Sequence, residues 1–338
     1  MKTLHYPAWE TLEIREQPRP RLAADEVLLK VAACGICGSE LESFKSRSHR
    51  RTPPLIMGHE FCGIIVEVGL SVHDHKIGDR VVSNSIVPCR SCPQCRRGDT
   101  HLCADRQIFG MHRQGAFAEY VNVPEHCLID WPEELPAESA CLAEPLANGL
   151  HVANLVSHME PKTTLIFGAG PMGLMCQQAI QVKTEASIVV VDLITERLEA
   201  ATQLGAKQVV NATQEDTIEI VNEITDREGV DLAIDSVGAQ VTKRQSLNAC
   251  RPGGVVVWIG LYENAMNLDS YDVILSEKKV FGSYAARLSE LQEALDLLAS
   301  GMVNTMSWSQ LFSLDDGVEA FQSMLAAEGK NIKAVVVP

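Results

Sequence analysis

The segment from Thr163 to Asp192 limits most strictly what this chain can fold into. A short apolar run leads into a glycine-rich turn, a helix-compatible stretch follows to Val182, and a second apolar run ends at Asp192. The turn itself reads Gly168-Ala169-Gly170-Pro171-Met172-Gly173. A turn of this spacing between two β-rich runs is typical of a β-turn-α-β unit that binds a dinucleotide. A glycine-rich loop in an ordinary α/β domain is the alternative, and the acidic residue at the end of the second run argues against it.

Each glycine of this turn has a separate physical role. Gly168 permits the tight bend, Gly170 has no side chain to block a pyrophosphate, and Gly173 lets the helix pack closely on the strand. Pro171 and Met172 open the helix, whose unpaired N–H groups face the phosphates. The turn is therefore predicted to bind the pyrophosphate of a dinucleotide.

Asp192 determines which dinucleotide is expected. It lies 19 positions after Gly173, where a carboxylate can accept hydrogen bonds from both hydroxyls of the adenosine ribose. A 2′-phosphate would meet this negative charge, and Leu193 offers no cation in its place, so the sequence predicts NAD rather than NADP. Arg197 is a further cofactor-binding candidate, since it could turn toward a phosphate or lie along the adenine.

Composition and charge exclude several classes of partner. The chain has 338 residues with 46% hydrophobic content, which is enough for two domains with cores of their own. Its formal net charge of −15 argues against binding nucleic acid or an anionic membrane surface. No window approaches the roughly 18 apolar residues needed to cross a bilayer. Residues 1–5 run into strand-like sequence without a secretory core, so a cytoplasmic location is expected.

Changes of pattern along the chain predict an α/β protein of two domains. Residues 1–150 contain many short strands separated by Gly and Pro, which predicts a β-barrel-like catalytic domain. Residues 151–285 alternate strands with helices, which predicts a Rossmann-type, doubly wound parallel sheet. The strands predicted there are 187–192, 208–211, 232–236, 255–260 and 280–282. Residues 286–338 are expected to return to the first domain, and a cleft between the domains is the expected active site.

Four cysteines predict a metal-bound loop, or zinc lobe, within the first domain. Cys89, Cys92, Cys95 and Cys103 fall within fifteen residues. Four thiolates at this density suit a closed tetrahedral zinc site, which holds together a loop with almost no core of its own. A four-thiolate iron–sulfur cluster uses the same ligands, and spacing alone does not separate the two. Zinc is the preferred interpretation because a second site is also indicated.

One cysteine, one histidine and one glutamate indicate this second, open metal site. Cys37 precedes His59 by about twenty residues, and Glu144 lies at the end of the same domain. Three such ligands leave a fourth position for water or substrate, as catalytic zinc requires. Taken singly, His59 is equally consistent with a buried structural histidine, and Glu144 with a surface acid. Ser39 is the candidate first proton acceptor beside the site, and capping the following helical turn is its alternative role.

Together these motifs resemble the zinc-dependent medium-chain alcohol dehydrogenases, in the branch of polyol (sorbitol), threonine and galactitol-1-phosphate dehydrogenases. The resemblance covers nearly the whole chain. It rests on Cys37-Gly38-Ser39, Gly58-His59-Glu60-x-x-Gly63, Gly78-Asp79-Arg80-Val81, the zinc lobe, Gly115-Ala116-Phe117-Ala118-Glu119-Tyr120, Glu144-Pro145-Leu146-Ala147 and the glycine-rich turn. It implies a catalytic zinc held by Cys37, His59 and Glu144, with Glu60 adjacent and able to approach it; which glutamate is nearer is left open. It further implies two zinc ions per chain and a homodimer or homotetramer.

Two positions depart from the pattern of that family. An aspartate usually follows Gly-Ser, whereas this chain has Glu40, which is one methylene longer. A histidine is common two residues further on, where this chain has Glu42, so the route of the proton to bulk water is open. A basic run at residues 45–51 could lie at the mouth of the cleft and attract an anionic substrate, although a solvated loop is the more frequent explanation.

The expected activity is the reversible oxidation of a secondary hydroxyl of a polyol, sugar acid or sugar phosphate by NAD. The metal makes the substrate hydroxyl easier to deprotonate, and the nicotinamide accepts the hydride. One alternative is an amino-alcohol substrate such as threonine. Another is a catalytically silent relative that binds a dinucleotide, and the ligands of the open site argue against it.

Overall fold

The computed structural model describes residues 1–326 and 331–338, and the bounds below are those of the strands and helices in these ranges. The strands are β1 (Lys2–Ala8), β2 (Thr11–Glu16), β3 (Glu26–Gly35), β4 (Leu55–Ile56), β5 (Glu60–Val68), β6 (Arg80–Ser83), β7 (Ile86–Val87), β8 (Gln107–Ile108), β9 (Tyr120–Pro124), β10 (Leu128–Asp130), β11 (Thr163–Phe167), β12 (Ser187–Asp192), β13 (Gln208–Asn211), β14 (Val230–Asp235), β15 (Cys250–Trp258), β16 (Lys279–Gly282), β17 (Ser309–Ser313) and β18 (Lys333–Val337). The helices are α1 (Gly38–Ser46), α2 (Pro93–Arg96), α3 (Ala137–Ala140), α4 (Ala143–Leu155), α5 (Pro171–Lys183), α6 (Thr195–Gln203), α7 (Thr217–Ile224), α8 (Gln240–Ala249), α9 (Tyr271–Ile274), α10 (Leu288–Ala299) and α11 (Gly317–Ala326). In the described ranges, none of these helices combines the length and the apolar character needed to cross a membrane.

The chain forms two compact units. The first comprises Met1–Ala147 and Ala286–Pro338, and the second comprises Asn148–Ala285. The polypeptide therefore leaves the first unit once, at α4, and returns to it just before α10.

The first unit is built on a seven-stranded sheet and also contains a three-stranded and a two-stranded sheet. The order in the large sheet is β10-β6-β5-β3-β18-β17, and β9 also pairs with β3. Strand β3 is buried along most of its length and pairs antiparallel with β5, β9 and β18. The register pairs Val336 with Cys34 and Glu60 with Gly35. Strand β18 and the start of β5, about 270 positions apart in the chain, thereby lie on either side of the end of β3.

Aromatic packing fixes the start of β5, the strand that follows His59. The rings of Phe61 and Phe109 meet edge to face, with their centroids 5.2 Å apart. Both side chains are fully buried in the core of the first unit, together with Phe117 and Met57. The backbone on either side of His59 is therefore held by a packed apolar core, which limits how far the ring can move.

The second unit contains a six-stranded sheet in the order β13-β12-β11-β14-β15-β16, with every neighbouring pair parallel. This order is that of the doubly wound dinucleotide-binding fold, whose ligands bind where the order reverses, here between β11 and β14. The strands consist mainly of buried Val, Ile and Leu, as expected for a sheet covered on both faces. Helix α5 begins at Pro171 and Met172, directly after the glycine-rich turn. The predicted Rossmann-type sheet is confirmed.

The half of the chain that was predicted to consist of strands also contains helices, and α1 is the longest of those that lie wholly within it. Helix α1 has nine residues, and only Leu41 and Phe44 among them are large and apolar, which is too few to give a visible helical period. Its first turn is stabilised instead by Glu40, whose Oε2 accepts a hydrogen bond from the Cys37 N–H at 3.1 Å. The helix carries Ser39 and Glu40, which directly follow the candidate ligand Cys37.

Candidate functional site

The first cluster joins Cys37, His59 and Glu60. One ligand atom from each lies within 4.8 Å of the others, which is close enough for a single metal ion. Cys37 stands directly before α1, and the other two stand at the start of β5. His59 and Glu60 are buried, and Cys37 is half-buried. The structure thus brings together three of the four side chains expected around the open metal site.

Gly58 explains how the chain turns immediately before His59. Its φ of +101° lies in the region that favours glycine. A Cβ at this position would lie 2.7 Å from the backbone nitrogen of Phe117 and 2.8 Å from Cys34 Sγ. A larger residue at position 58 would therefore strain the backbone and displace His59.

Glu40 orients His59 from inside the protein. Its Oε1 accepts a hydrogen bond from the Gly58 N–H at 2.8 Å and lies 2.9 Å from His59 Nδ1. Burial raises the pKa of the Glu40 carboxyl, but the charge of His59, its hydrogen bond to Glu40 and the charge of Arg51 together outweigh burial, so the pKa lies below its usual value. A carboxylate on Nδ1 leaves Nε2 of His59 for a metal. The longer side chain of Glu40 therefore still reaches the histidine.

Glu60 has a buried cation as its partner. Its Oε2 forms an ion pair with Lys333 Nζ, and both side chains are 1% exposed. The same Nζ donates to the Ile36 carbonyl at 2.9 Å. Burial lowers the pKa of Lys333, but the charges of Glu60 and Cys37 and the hydrogen bond to Glu60 together outweigh burial, so the pKa lies above its usual value. Gly35 leaves the space for this carboxylate, because a Cβ there would overlap Glu60 Oε2.

Glu144 is buried in the first turn of α4. Burial and the charge of Glu60 raise the pKa of the Glu144 carboxyl, whereas the charge of His59 and a hydrogen bond with Ser85 lower it. Burial is the largest of these effects, and the pKa lies above its usual value. Within the described residues, the metal-sized cluster consists of the other three ligand candidates, and Glu144 is not a member. The structure therefore places Glu144 where the charges of the cluster act on it, but outside the 4.8 Å group.

Ser39, the predicted proton acceptor, lies beside the open cluster, whereas two arginines of the basic run at residues 45–51 are paired or buried. Ser39 Oγ donates a hydrogen bond to Cys37 Sγ at 3.3 Å, beside the candidate metal position. In the basic run, Arg47 pairs with Glu10, with Nε and Oε2 2.7 Å apart. Arg51 is only 2% exposed. It is therefore not available to attract an anion from solvent, contrary to the expectation for this run.

The four cysteines of the zinc lobe form the second cluster, with all their sulfur atoms within 4.8 Å of one another. The Cys92–Cys95, Cys92–Cys103 and Cys89–Cys95 Sγ distances are 3.5, 3.9 and 4.0 Å. A zinc ion held tetrahedrally at about 2.3 Å from each sulfur requires sulfur–sulfur separations of about 3.8 Å. The four cysteines of an iron–sulfur cluster are shared among two or four irons, so their four sulfurs do not all surround one metal position. The sulfur positions therefore fit one tetrahedral zinc ion.

Backbone N–H groups of the lobe point at these sulfurs. The Cys92 N–H donates to Cys89 Sγ at 3.3 Å, and the Cys89 N–H donates to Cys103 Sγ at 3.2 Å. Hydrogen bonds from Ser91 and then from Cys92 lower the pKa of Cys89 to about 6. Because the thiolate is the form that binds metal, the loop favours the ligand form at this position.

In the second unit, the glycine-rich turn joins β11 to α5. Gly168 has a φ of +94°, and a Cβ there would lie 2.7 Å from Ser236 Oγ. A Cβ on Gly173 would overlap the Gly168 carbonyl. A Cβ on Gly170 would have Arg197 Nη1 as its nearest neighbour, at 3.8 Å. The outer two glycines are thus required for packing, while the middle one leaves open space beside the backbone.

Asp192 ends β12 with both carboxylate oxygens held by the backbone. Its Oδ2 accepts from the Ala169 N–H at 2.6 Å, and its Oδ1 accepts from the next two N–H groups at 2.7 and 3.0 Å. Arg197 Nε is buried and lacks a hydrogen-bond partner among the described residues. The Nη1 atom of Arg197 lies beside Gly170, where a guanidinium could contact a phosphate group at the turn.

Three contacts around these sites were not predicted from the sequence. Lys333 meets Glu60 across 273 positions, and Arg51 hydrogen-bonds to Ser39 from within a run of charged residues. Neither contact has a local signal. Ser236 Oγ donates to the Phe167 carbonyl at 2.7 Å beneath the glycine-rich turn. Here the sequence does contain a signal, because Ser236 is the last residue of the predicted strand 232–236, and ligand-binding loops occur at the carboxyl ends of parallel strands.

Models of known protein families match most of the chain. The alcohol dehydrogenase GroES-like domain matches residues 23–133, and the zinc-binding dehydrogenase domain matches residues 171–300. D-arabitol-phosphate dehydrogenase from Enterococcus avium is 35% identical over an alignment of 337 residues that covers 98% of this chain and 95% of the relative. L-threonine 3-dehydrogenase from Pyrococcus abyssi (strain GE5 / Orsay) is 35% identical over 330 residues, covering 96% of this chain and 94% of the relative.

A solved structure agrees with these matches. A protein from Sinorhizobium meliloti 1021, named as a zinc-binding dehydrogenase and solved with NADP bound, has a TM-score of 0.91 at 30% identity, covering 100% of this chain and 99% of that one. The predicted resemblance is therefore confirmed. The chain belongs to the zinc-binding medium-chain alcohol dehydrogenases.

Proposed function

We propose that this chain oxidises a secondary hydroxyl of a polyol, sugar acid or sugar phosphate, with NAD as the hydride acceptor and zinc at the open cluster. The observation that carries the proposal is the cluster of Cys37, His59 and Glu60, with Glu40 held against the histidine. A relative that only binds a dinucleotide has no need for such ligands. The cluster therefore favours an enzyme.

The charges around the open cluster support a divalent cation. With Cys37 as a thiolate and the glutamates ionised, four of the side chains there are negative and two are positive. The negative ones are Cys37, Glu40, Glu60 and Glu144, and the positive ones are Arg51 and Lys333. With His59 neutral, two negative charges are left over, and one zinc ion neutralises them. A thiolate, an imidazole and carboxylate oxygens are also donors that zinc accepts.

Cys37 and His59 are proposed as two zinc ligands, with a glutamate as the third. Glu60 is the glutamate that the structure brings within the 4.8 Å group, although Lys333 engages one of its oxygens. Glu144 is buried nearby, and the family resemblance favours it. Glu60 and Glu144 are therefore both candidates for the third ligand.

Each proposed residue has one task in the reaction. When bound, zinc supplies a Lewis acid that makes the substrate hydroxyl easier to deprotonate. Ser39 is proposed as the first acceptor of that proton, since its hydroxyl lies in hydrogen-bond reach of the ligand sulfur. Glu40 keeps His59 in the tautomer that presents Nε2 to the metal. The N-terminus of α5 and Arg197 are proposed to hold the pyrophosphate, and Asp192 the adenosine ribose.

The names of the relatives frame the choice of substrate. The relative from Enterococcus avium is named for a phosphorylated polyol, and the one from Pyrococcus abyssi for threonine. The two are 35% identical to this chain, so identity does not separate them. A polyhydroxylated substrate is the first candidate, and an amino alcohol is the second.

An assay of NADH formation across polyols, aldonates, sugar phosphates and threonine tests the proposal. We expect at least one polyhydroxylated class to reach a kcat/KM of about 10⁴ M⁻¹s⁻¹ or more, within the range usual for enzymes, and threonine to react far more slowly. Metal analysis is expected to give two zinc ions per chain, one for each cluster. Threonine as the best substrate would move the assignment to the amino-alcohol branch. One zinc ion and no activity would instead support the silent relative.

NAD is proposed as the preferred dinucleotide, although the Sinorhizobium meliloti protein was solved with NADP. Backbone N–H groups hold the Asp192 carboxylate, so it is fixed against a 2′-phosphate. In the same assay we expect kcat/KM for NAD to exceed that for NADP by at least about tenfold, or about 1.4 kcal/mol. Asp192→Ala serves as the control and should lose most of this preference. Equal kcat/KM values for NAD and NADP in the unmodified enzyme would contradict the proposal, and Arg197 would then be the candidate that binds the 2′-phosphate.

Self-association through the edge of the second sheet is also proposed. Strand β16 ends that sheet, and the segment between β15 and β16 exposes several large apolar side chains. They are Leu261, Tyr262, Leu268, Tyr271, Ile274 and Leu275. Apolar groups exposed beside a sheet edge are typical of a protein–protein contact. Light scattering should show a dimer or tetramer, and Leu275→Lys, at a side chain that is 78% exposed, should shift it toward monomer. A monomeric unmodified chain would remove the proposal.

A further inference from the structure

Arg51 is a buried cation beside the proposed proton acceptor. Its side chain is 2% exposed. Its Nε donates to the Gly110 carbonyl at 3.2 Å, and its Nη1 donates to the Ser39 carbonyl at 2.8 Å and to Ser43 Oγ at 3.0 Å. Its Nη2 donates to Ser39 Oγ at 3.1 Å. The guanidinium therefore holds Ser39 at both its carbonyl and its hydroxyl.

These four hydrogen bonds all go to uncharged acceptors. Burying a charged group costs several kcal/mol, and hydrogen bonds to uncharged acceptors offset this cost only in part. The charge of the buried Glu40 compensates part of this cost, but none of the four hydrogen bonds is directed at that carboxylate. The direction of the guanidinium toward Ser39 therefore calls for a reason beyond charge balance.

The hydrogen-bonding capacity of Ser39 supplies that reason. A serine hydroxyl has one proton to donate and two lone pairs with which to accept, whereas a guanidinium can only donate. Arg51 occupies one lone pair, and the hydroxyl proton is directed to Cys37 Sγ at 3.3 Å. One lone pair is left. We propose that Arg51 is a positioning residue that orients Ser39 so that this lone pair accepts the substrate's hydroxyl proton, a role that rests on the proposed function.

The same arrangement sets the direction in which the proton leaves. As the substrate O–H bond breaks and a new bond forms at Ser39 Oγ, the original O–H bond of Ser39 breaks, so the serine stays neutral. Arg51 cannot take the released proton, because a guanidinium has no acceptor. Before the proton is released, the Ser39 O–H must turn from Cys37 Sγ to a water molecule on a side away from Arg51, and that water takes the proton. Bound NAD would accept the hydride separately.

A double-substitution experiment in the full-length, zinc-loaded enzyme tests this role. Arg51→Met removes the donor, Ser39→Ala removes the acceptor, and the two are then combined. We expect Arg51→Met alone to lower kcat by about 10- to 100-fold, as the loss of a supporting hydrogen bond does. Once residue 39 is alanine, Arg51→Met should lower kcat by less than about twofold more, because the two residues act as one unit.

Ser43→Ala is the matched control for these variants. It removes an Arg51 hydrogen bond of 3.0 Å that is not directed at Ser39, and kcat should stay within about twofold of the unmodified enzyme. Arg51→Lys covers the case in which the methionine variant does not fold. Lysine keeps the charge but cannot reproduce the planar fork of donors, so we expect an intermediate loss of kcat with both zinc ions retained. Two results would overturn the positioning role. One is that Arg51→Met lowers kcat as much in the Ser39→Ala background as it does alone, and the other is that Ser43→Ala lowers kcat as much as Arg51→Met.

Cobalt(II) exchanged for zinc gives a readout that does not depend on turnover. The Ser39 hydroxyl donates to Cys37 Sγ, so its orientation alters the thiolate-to-cobalt absorption. We expect Arg51→Met and Ser39→Ala to shift this band in the same direction, and Ser43→Ala to leave it in place. An unmodified chain inactive on every substrate would refute the proposed function, whereas an unshifted band in Arg51→Met would refute the role of Arg51.

Discussion

Replacing His59 by alanine is expected to remove one of the two zinc ions per chain and to lower kcat by at least about 10³-fold. The ring lies within ligand distance of Cys37 and Glu60, and Glu40 orients it. Losing the metal removes several kcal/mol of charge stabilisation, and each 1.36 kcal/mol is about a tenfold change in rate. Metal analysis and the NADH assay on the same preparation measure both effects.

The control for this prediction is His73→Ala, which removes an exposed histidine of the same unit. It should keep both zinc ions and an unchanged kcat. The four cysteines of the zinc lobe are a separate ligand set, so the ion that is left in His59→Ala should be theirs. Two retained ions and an unchanged kcat in His59→Ala would show that the open cluster does not hold a catalytic metal.

Replacing Lys333 by methionine is expected to lower the free energy of unfolding of the zinc-loaded protein by about 3–5 kcal/mol. The Nζ atom forms an ion pair with Glu60 Oε2, and both side chains are 1% exposed. Removing the cation leaves a buried carboxylate without its partner and also removes a donor from the Ile36 carbonyl. Urea unfolding at saturating zinc measures the loss.

Two further variants separate charge from packing at this pair. Adding Glu60→Gln to Lys333→Met removes the uncompensated charge and should recover part of the lost stability. Lys2→Met breaks the exposed Lys2–Asp315 pair, whose Nζ–Oδ1 distance is 2.7 Å, and should change stability far less because solvent screens that pair. If Lys333→Met and Lys2→Met have equal effects, the buried pair does not hold the open cluster together.

The second unit could be predicted closely because its constraints are local. Residues 187–192 and 208–211, which the pattern predicts as strands, are β12 and β13 with the same bounds. The glycines, the strand before them and Asp192 all lie within thirty residues, so the turn, the helix N-terminus and the acid can be interpreted together. Alternation of strand and helix then limits the sheet to a few arrangements.

The open cluster could be predicted only in part, since its support comes from distant segments. Cys37 and His59 belong to short motifs, but the ion pair of Glu60 with Lys333 depends on β18 entering the sheet beside β3. Arg51 lies in a basic run, and charged side chains are usually exposed. It is buried because Ser39 and the residues around it offer acceptors that only the folded chain brings together.

The close spacing of sulfurs in the zinc lobe also bears on how the protein responds to oxidation. A disulfide bond is about 2.05 Å long, and Cys92 Sγ already lies 3.5 Å from Cys95 Sγ. A small movement therefore suffices to join two thiols once the ion is withdrawn and an oxidant is present. Metal loss in air would then lock the loop in a bridged form, and a reductant would have to act before zinc could return.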